Sequence, residues 1–600
     1  MAAPPATAGP AGGAEEALLL RVLSAFLRED VVGLRTRSTT VEREDGRWLR
    51  LPTGTEPDAA LLLPVGEDGF QGEYAARRPL LVSEPGGAEL TGCDAVLGAL
   101  TALADPLDLP GFVSFAEECR QTLATMRLHD RTADEVGHVL TARYGADPAD
   151  WTGLAPSLAH DTLAARLDHP VYPTARGRSG LDDAHLRAYA PEFHPRFALR
   201  WLAVPRDAVT VPGGADRLPA SWPSPADLGL PELDGTHLAL PVHPLSLGAP
   251  LEDALREAGL EGTAVLAGEP YREAVPTLSM RTVALADEPD LHLKLPLVTA
   301  TLGMRNRRTI KPVTLDHGAA GQRLVEAVIA REPRFKGTIL HADETVYAHA
   351  GHELLAVLCR RYPAGLDRAV VLPMAALLST APGGRLLVDH LADRFYGGDP
   401  VALFDACTTL LLDWQAALFD HGIALESHQQ NVSLVFDRAP EDGRTRLRLL
   451  FKDDDGPRLN LPRLRRTLGP EADELVSGFR DPRMFGEDYR AVADMFVTIT
   501  LHLCVGAYAF GLAAHGRAPR ETLLDLVRER IAECAERLGT GPGQPGAVLR
   551  ERVLEAGELP VKAMVTAGTL LTKERSGASD INTHYTTGPN YLRRRAGDPR

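Results

Sequence analysis

The chain has 600 residues, of which 44% are hydrophobic and 24% charged, as in a globular protein of two to four packed units. Its formal net charge of −17 argues against a nucleic-acid partner, because contacts to a phosphate backbone need a basic patch. Six cysteines are scattered without a CxxC pair, which favours reduced thiols in a cytoplasmic protein over a disulfide framework or a zinc site.

The N-terminal part is predicted to be a mostly helical unit behind a short disordered tail. Residues 1–14 are rich in alanine, proline and glycine, a composition typical of disorder. The stretch ALLLRVLSAFLRED at 17–30 carries Arg21 inside its apolar run, which favours an amphipathic helix over a signal peptide. No run approaches the ~18 apolar residues of a membrane span, so no membrane partner is expected. We expect this unit at 15–165, with a few short strands such as RPLLVSE at 78–84.

A β-rich unit is predicted at 166–345. The stretches THLALPVHPL, AVPTLSMRTVAL and LHLKLPLVTATLGM each read as a strand, and the turn-like ADEPD joins the last two into a hairpin. A helix is expected over 318–331 from its apolar spacing, and GTILHADETVYAHA is expected to form a second hairpin.

The remaining residues, 346–600, are predicted to form a third unit in which helices predominate. LLAVLCRRYP and RAVVLPMAAL read as strands, and a long helix follows from about residue 400. The loop ESHQQN comes next, and a hairpin runs from NVSLVFD to RLRLLFKDDDG before further helices. Together the three units predict an α+β fold with a mixed or antiparallel sheet at its nucleotide-binding lobe.

Two polar loops flank the NVSLVFD hairpin. Asn431 and Asp453 lie at its ends, where both could approach one Mg²⁺ with help from Asp454 or Asp455, since hard cations take oxygen ligands. His428 and Gln430 could hold phosphate or ribose. Taken one at a time, the stretches also fit a capped turn and a solvated acidic loop.

A second cluster lies on the predicted ADEPD hairpin and beyond it. Arginine forks bind phosphate or carboxylate at two points and lysine binds as a point charge, so cations interleaved with hydroxyls predict an anion site. The alternative is a set of surface residues paired with acids. The cluster comprises Ser279, Arg281, Thr282, Lys294, Thr301 and Arg305.

A third cluster, in HPVYPTARGRSG, consists of His169, Arg176 and Arg178 and predicts a cradle for a polycarboxylate. His243 is expected to be structural. There is no GxSxG elbow, no HExxH and no phosphate-binding GxxxxGK[ST] loop in the sequence, so covalent catalysis is not expected.

The succession HPVYPTARGRSG, YAPEF, LPVHP, SMRT, LKLPLVTATLGMR, ESHQQN, KDDDG and LPVKAMVT resembles the IucA/IucC family, the NRPS-independent siderophore synthetases, over about residues 165–570. The resemblance implies thumb, fingers and palm domains, a homodimer, and an ATP- and Mg²⁺-dependent ligase. Such an enzyme adenylates citrate, a related di- or tricarboxylate or a succinyl-hydroxamate. It then joins the acyl group to an amine or a hydroxyl, forming an amide or ester and releasing AMP and pyrophosphate.

The resemblance also implies roles for single residues. Arg305, Lys294 and His428 would be catalytic. The ATP site would take the cations and hydroxyls of the second cluster together with His428, Gln430, Asn431, Asp453 and Asp455, the last three holding Mg²⁺. The acid and the nucleophile would lie near His169, Arg176, Arg178, Arg305 and Lys562.

The chain departs from the family pattern mainly on the substrate side. Tyr172 replaces a histidine, Arg176 replaces a lysine, and Gly568 lies near an expected arginine. Two alternatives therefore stay open: a homologue that binds a carboxylate or siderophore without catalysis, and a small-molecule kinase releasing ADP. The order of strand lysine, loop asparagine and loop aspartate is also the order found in protein kinases.

Overall fold

A computed structural model describes residues 13–54, 56–577 and 584–593. The described residues form helices and several separate sheets, which confirms the predicted α+β class. The thumb, fingers and palm boundaries stay a prediction.

The N-terminal region combines five helices with a sheet of six strands. Helix α1 begins at Gly13, so residues 13 and 14, predicted to be disordered, are helical, and residues 1–12 lie outside the described part. Glu15 and Glu16 in its first turn and Arg28 in its last complement the helix dipole. The elements are α1 Gly13–Glu29, β1 Thr39–Arg43, β2 Gly46–Pro52, β3 Ala60–Glu67, β4 Tyr74–Ala76, β5 Leu80–Glu84, β6 Ala88–Thr91, α2 Cys93–Thr101, α3 Leu109–Arg131, α4 Ala133–Tyr144 and α5 Leu154–Ala165.

The middle region is built on an antiparallel sheet in the order β15-β16-β13-β12-β11-β7, beside a small β10-β8-β9 sheet. The predicted β12–β13 hairpin is confirmed, with Thr282 opposite Lys294. The elements are α6 Asp183–Tyr189, β7 Phe197–Ala198, β8 Arg200–Pro205, β9 His237–Val242, α7 Ala249–Glu257, β10 Val265–Leu266, β11 Glu273–Pro276, β12 Thr282–Leu285, β13 Glu288–Lys294, α8 Pro312–Arg331, β14 Ile339–His341, β15 Asp343–His349 and β16 Ala356–Arg361.

Three strand predictions in this region are wrong in whole or in part. LHLKLPLVTATLGM is a strand only as far as Lys294, where β13 ends. AVPTLSMRTVAL is two paired strands, because the chain reverses at Met280, which adopts a left-handed conformation with φ 61°. GTILHADETVYAHA is not a hairpin: β14 pairs in parallel with the strand Thr445–Phe451 of another sheet, whereas β15 pairs with β16. The last two segments have strand-forming residues, and only long-range pairing separates them.

The C-terminal region contains the mixed sheet β14-β20-β19-β17, and its predicted β19–β20 hairpin is confirmed. Wide-turn π-helical segments occur at Phe496–Gly506, Arg550–Glu555 and Thr566–Leu570. The elements are β17 Val370–Pro373, α9 Leu387–Phe395, α10 Pro400–Asp420, β18 Ile423–Ala424, β19 Val432–Arg438, β20 Thr445–Phe451, β21 Arg458–Asn460, α11 Leu461–Leu468, α12 Glu471–Val476, β22 Phe485–Gly486, α13 Arg490–Met495, α14 Ala507–Ala514, α15 Arg520–Leu538, α16 Pro545–Leu549, β23 Glu558–Lys562, α17 Lys573–Ser576 and β24 Tyr585–Pro589.

Two helices, Pro400–Asp420 and Arg490–Ala514, are long and apolar enough to cross a membrane, which the sequence analysis did not anticipate. In the structure 61% and 83% of their most apolar stretches are buried against other elements. They form part of a hydrophobic core that also takes in Leu18 of α1 and Leu592 near the C-terminus. The six cysteines are free and buried, as predicted.

Candidate active site

A cleft of 3410 Å³ collects residues from all three regions of the chain. Every site residue predicted from the sequence lines it except Thr282. The set comprises His169, Arg176, Arg178, Ser279, Arg281, Lys294, Thr301, Arg305, His428, Gln430, Asn431, Asp453, Asp455 and Lys562. The fold thus brings together three clusters that lie far apart in the chain.

The centre of the cleft is an ion-pair network around Asp453. Lys294, at the end of β13, pairs with Asp453 Oδ1, and Arg360 Nη2 lies 3.0 Å from the same oxygen. Arg360 also pairs with Glu344, which accepts the Asp453 backbone N–H at 3.2 Å. Burial raises the pKa of Asp453, but the charges of Lys294 and Arg360 outweigh it and hold that pKa well below its usual range. Asp453 is therefore ionised.

The backbone at Asp453 is left-handed, with φ 61°. A non-glycine residue in this region is uncommon, although aspartate tolerates it better than most, and such strain concentrates at functional sites. The neighbouring Asp455 also lines the cleft, and burial raises the pKa of its carboxyl to about 6.

Hydrogen bonds to backbone groups fix the polar side chains of the loop before β19, residues 426–431. Asn431 donates its side-chain N–H to the Glu426 carbonyl at 3.1 Å, which leaves its side-chain oxygen as the acceptor for a ligand. The Lys452 backbone N–H donates to the Asn431 carbonyl, so Asn431 and Asp453 lie at the same end of the β19–β20 hairpin. This is the arrangement that the spacing predicted.

Two histidines in the cleft are set as neutral hydrogen-bond donors. Nδ1 of His169 accepts the backbone N–H groups of Val171 and Tyr172, and Nδ1 of His428 accepts that of Gln430. Each ring therefore carries its proton on Nε2. Burial lowers the pKa of both rings, that of His169 to about 3. Both suit donation to an anionic or carbonyl oxygen.

The β11–β12 turn places Ser279 and Arg281 on the cleft wall, whereas Thr282 lies buried outside it. Ser279 Oγ donates to the Thr282 hydroxyl at 3.0 Å, and Thr282 is fully buried and does not line the cleft. The contact of Thr282 with a nucleotide stays a prediction. Arg281 donates to the carbonyls of Arg308 and Thr309, thereby fixing the loop that follows Arg305.

Arg305 is exposed on the cleft wall, and its guanidinium has no ion pair or hydrogen bond within the described chain. Its backbone N–H donates to the Gly568 carbonyl at 3.2 Å. A Cβ added at Gly303 would lie 2.8 Å from the Gly568 Cα, so only glycine permits this close approach. The expected arginine near position 568 is thus replaced by a backbone contact that supports Arg305.

A buried carboxyl on α3, Glu118, joins this loop to the predicted cradle. One oxygen accepts the Met304 backbone N–H at 3.0 Å and the Thr569 hydroxyl. The other accepts the hydroxyls of Tyr172 at 3.0 Å and Thr174 at 2.8 Å. Tyr172 is therefore a structural residue facing Glu118 and does not line the cleft.

The predicted polycarboxylate cradle is already neutralised by acids. Arg176 Nε donates to Asp168 at 2.8 Å, and Arg178 Nη2 donates to Glu192 at 2.9 Å. Lys562 lies 3.6 Å from Glu426. The cradle can still supply hydrogen bonds, but the positive charge for an acid must come from other residues such as Arg305.

Sequence reasoning missed the buried partners Arg360, Glu344 and Glu118, and the cleft residue Arg308. Arg360, Glu344 and Glu118 belong to no motif, and each reaches the site only because strands or helices distant in the chain are adjacent. The one sequence signal was the run MRNRR at 304–308, from which only Arg305 was selected.

The donor set fits Mg²⁺ bound together with a phosphate ligand. No group of three or more His, Cys, Asp or Glu suited to a metal occurs among the described residues. Mg²⁺, however, commonly takes one or two carboxylates and completes its shell with phosphate and water. Asp453 and Asp455 would supply the carboxylates and Asn431 a neutral oxygen.

Comparisons with known proteins show what the chain is similar to. Residues 160–379 match the IucA/IucC family model, and residues 403–577 match a model described as ferric iron reductase FhuF-like transporter. The rhizobactin siderophore biosynthesis protein RhbC of Rhizobium meliloti is 26% identical over 553 residues, covering 83% of this chain and 86% of its own. An uncharacterized protein, y4xN, of Sinorhizobium fredii is 27% identical over 63% of this chain, and the match spans 64% of the length of y4xN.

The fold is also that of a solved structure. The ATP-bound aerobactin synthetase IucA from a hypervirulent pathotype of Klebsiella pneumoniae superposes with a TM-score of 0.67 at 19% identity, over 96% of this chain and all of the other. Residues 160–379 thus match the IucA/IucC family, as the sequence motifs predicted, and the chain as a whole shares the fold of an aerobactin synthetase.

Proposed function

We propose that the protein is an ATP-dependent siderophore synthetase that adenylates a carboxylic acid and transfers the acyl group to an amine or a hydroxyl. The observation that carries the proposal is the cleft in which Lys294 and Arg305 lie with the loop of His428 and Asn431 and with Asp453. The biosynthetic role named for RhbC and the ATP named for the IucA structure support it.

In the first step a carboxylate oxygen of the acid attacks the α-phosphorus of ATP. The bond from that phosphorus to the oxygen bridging the α and β phosphates breaks, and its electron pair leaves with pyrophosphate. Both reactants are anionic, so the enzyme must hold them together and offset the developing charge. Arg305 is suited to bridge the acid and the α-phosphate because it lines the cleft, is exposed, and its guanidinium forms no hydrogen bond or ion pair within the described chain.

The remaining groups position the reactants. His169 and His428, each with its proton on Nε2, donate to carboxylate or phosphate oxygens. Mg²⁺ bound by Asp453, Asp455 and Asn431 would neutralise phosphate charge. No nucleophilic side chain is needed, which agrees with the burial of all six cysteines.

In the second step the lone pair of an amine or hydroxyl attacks the acyl carbon, AMP leaves, and the nucleophile loses a proton to solvent. We propose citrate or a related di- or tricarboxylate, or a succinyl-hydroxamate, as the acid. The homodimeric state and the cytoplasmic location remain predictions, the first measurable by light scattering of the purified protein.

The test is product analysis. Purified protein is incubated with ATP, Mg²⁺ and citrate or a succinyl-hydroxamate, with and without a panel of diamines and amino alcohols. We expect acid-dependent ATP–pyrophosphate exchange, AMP as the nucleotide product, and loss of both on chelation of Mg²⁺. Release of ADP would identify a kinase, and absence of turnover with binding of the acid retained would identify a non-catalytic homologue.

A further inference from the structure

The wall of the cleft around His169 differs from the wall around Lys294 in how its cations are balanced. On the Lys294 side, the side chains of Arg307, Arg308 and Lys311 form no ion pair or hydrogen bond within the described chain. On the His169 side, cations are paired with acids. Cations that lack an acid favour a ligand with several negative charges, so the balance on each wall indicates which ligand the wall can hold.

Asp168 compensates two arginines of the His169 side at once. Arg176 Nε donates to its Oδ1 at 2.8 Å, and Arg21 Nη1 lies 3.5 Å from its Oδ2. Burial raises the pKa of Asp168, but the charges of Arg21 and Arg176 outweigh burial and bring that pKa below its usual value. Asp168 lines the cleft and is therefore a fixed negative charge on its wall. Arg178 is balanced in the same way by Glu192, at 2.9 Å.

Three further cations of this side are also engaged by the protein. Lys562 Nζ lies 3.6 Å from Glu426 Oε1. Arg28 and Arg166 donate to backbone carbonyls. A charged group of a ligand would have to compete with these acids and carbonyls, and separating an arginine from its acid leaves an unpaired charge behind.

Three histidines that line the cleft are neutral donors. His169 and His428 carry their proton on Nε2, as described above. Nδ1 of His129 accepts from Arg176 Nη1 at 3.3 Å, so its proton is also on Nε2, which is buried without a hydrogen-bond partner in the described chain. Burial, and then the charge of Arg176, lowers the pKa of His129 to about 2. Neutral donors of this kind suit uncharged carbonyl oxygens as well as a carboxylate.

Arg305 differs from the engaged cations. Its exposed guanidinium forms no hydrogen bond or ion pair within the described chain. Glu118 joins its loop to the His169 side, because it accepts both the Met304 N–H and the Tyr172 hydroxyl. One such cation balances one carboxylate. The further carboxylates of a tricarboxylate would face a wall whose cations Asp168 and its neighbours already occupy.

We propose that the acid adenylated here carries a single ionised carboxylate, bound by Arg305, beside uncharged amide- or hydroxamate-type oxygens that accept from the histidines, and that Asp168 excludes polycarboxylates such as citrate. The proposal rests on the adenylation proposed above and selects the succinyl-hydroxamate class among the acids named there. Asp168 acts by holding Arg176 in an ion pair, so it determines specificity and takes no part in the chemistry.

The test is ATP–pyrophosphate exchange with citrate and with N-hydroxy-N-methylsuccinamic acid, whose only ionised group at neutral pH is one carboxylate. In the wild-type protein we expect kcat/KM to be roughly 10-fold or more higher for the monocarboxylate, because like charges brought together weaken binding. Asp168→Asn keeps the shape and the hydrogen bond from Arg176 but removes the charge. It is expected to raise kcat/KM for citrate relative to the monocarboxylate roughly 10- to 100-fold, the effect of one charge-assisted hydrogen bond.

Asp437→Asn is the matched control. Asp437 pairs with Arg446 and Arg448 and lies outside the cleft, so this variant also loses an acid from an ion-paired cluster. It is expected to keep the wild-type preference between the two acids. Thermal unfolding of both variants shows whether either change disturbs the fold.

A second measurement is independent of turnover. Each acid is titrated into the full-length protein by calorimetry, with Mg²⁺ and the α,β-methylene analogue of ATP, which cannot release pyrophosphate. We expect the same preference for the monocarboxylate, and its reduction in Asp168→Asn.

Equal or better use of citrate by the wild-type protein overturns the proposal and leaves the proposed adenylation standing. A preference that Asp168→Asn does not change also overturns it, as does binding of neither acid. If neither acid supports exchange but calorimetry shows the preference and its reduction in Asp168→Asn, the proposed function fails and the selection by charge stands.

Discussion

At the scale of single residues, Arg305 offers the clearest separation of function from stability. Its side chain is exposed and forms no hydrogen bond or ion pair within the described chain, so Arg305→Ala is expected to change the free energy of unfolding by less than about 0.5 kcal/mol. Loss of a preorganised cation at a charge-developing centre costs ~3 kcal/mol, so exchange is expected to fall about 100-fold.

The measurements are ATP–pyrophosphate exchange and urea unfolding of the same preparations. Arg466→Ala, another exposed arginine but outside the cleft, is expected to leave both unchanged. Normal exchange by Arg305→Ala would show that another group bridges the acid and the α-phosphate. A large loss of stability would show that the exposed side chain has a structural role.

At the scale of elements, Glu118 determines how three segments meet. Its carboxyl on α3 accepts hydrogen bonds from the 172–174 segment, from Met304 next to Arg305, and from Thr569 in the Thr566–Leu570 segment. In Glu118→Gln one carboxylate oxygen becomes an NH₂ group. That group would face the N–H or O–H donors from which the oxygen accepts in the native protein. Leaving buried donors unsatisfied is expected to cost about 1–3 kcal/mol of stability.

We expect Glu118→Gln to raise the KM for both ATP and the acid, because the loops carrying Arg305 and His169 lose a common anchor. Glu117→Gln is the matched control, since Glu117 is the exposed neighbour on α3 and pairs with Arg120. Steady-state kinetics on both substrates, together with thermal unfolding, distinguish an effect of Glu118 on substrate binding from a purely structural role. Unchanged KM values in a destabilised variant would restrict Glu118 to a purely structural role.

At the scale of the whole molecule, buried neutral histidines make stability depend on pH. Burial lowers the pKa of His243 and of His502 to about 3 and that of His194 to about 4, against an ordinary value near 6.5. Between these values the unfolded chain binds more protons than the folded protein. The stabilisation is therefore complete above about pH 6.5 and is lost as the pH falls toward 4.

Each such histidine is expected to cost about 2 kcal/mol of stability at pH 5 relative to pH 7. Buried acids act in the opposite direction: burial raises the pKa of Asp68 and Asp455 to about 6 and also raises the pKa of Glu29, Glu118, Asp161, Glu344 and Asp494. Histidines whose pKa is lowered by burial are more numerous in the described chain, since they also include His129, His160, His169, His292 and His428. Urea unfolding at pH 7, 6 and 5 measures the sum, and a net loss is expected. Stability that stays constant over this range would mean that these rings are solvated or already protonated. His243→Gln is expected to flatten the profile.

The sequence alone was sufficient for features that depend on neighbouring residues. The ADEPD turn and the apolar runs beside it specified the β12–β13 hairpin, and the polar loops around NVSLVFD placed Asn431 and Asp453 at one end of another hairpin. The motif order also led to the family. Local turn chemistry and side-chain alternation carry this information, so it can be read without the fold.

The tertiary structure alone decided how charge is distributed in the cleft. Asp453 is ionised because Lys294 and Arg360 face it across separate strands, while Arg176 and Arg178 are neutralised by Asp168 and Glu192. The sequence presents all of these as similar charged residues. Whether a cation is free for a ligand depends on which acid the packing places within about 4 Å, and elements distant in the chain determine that distance.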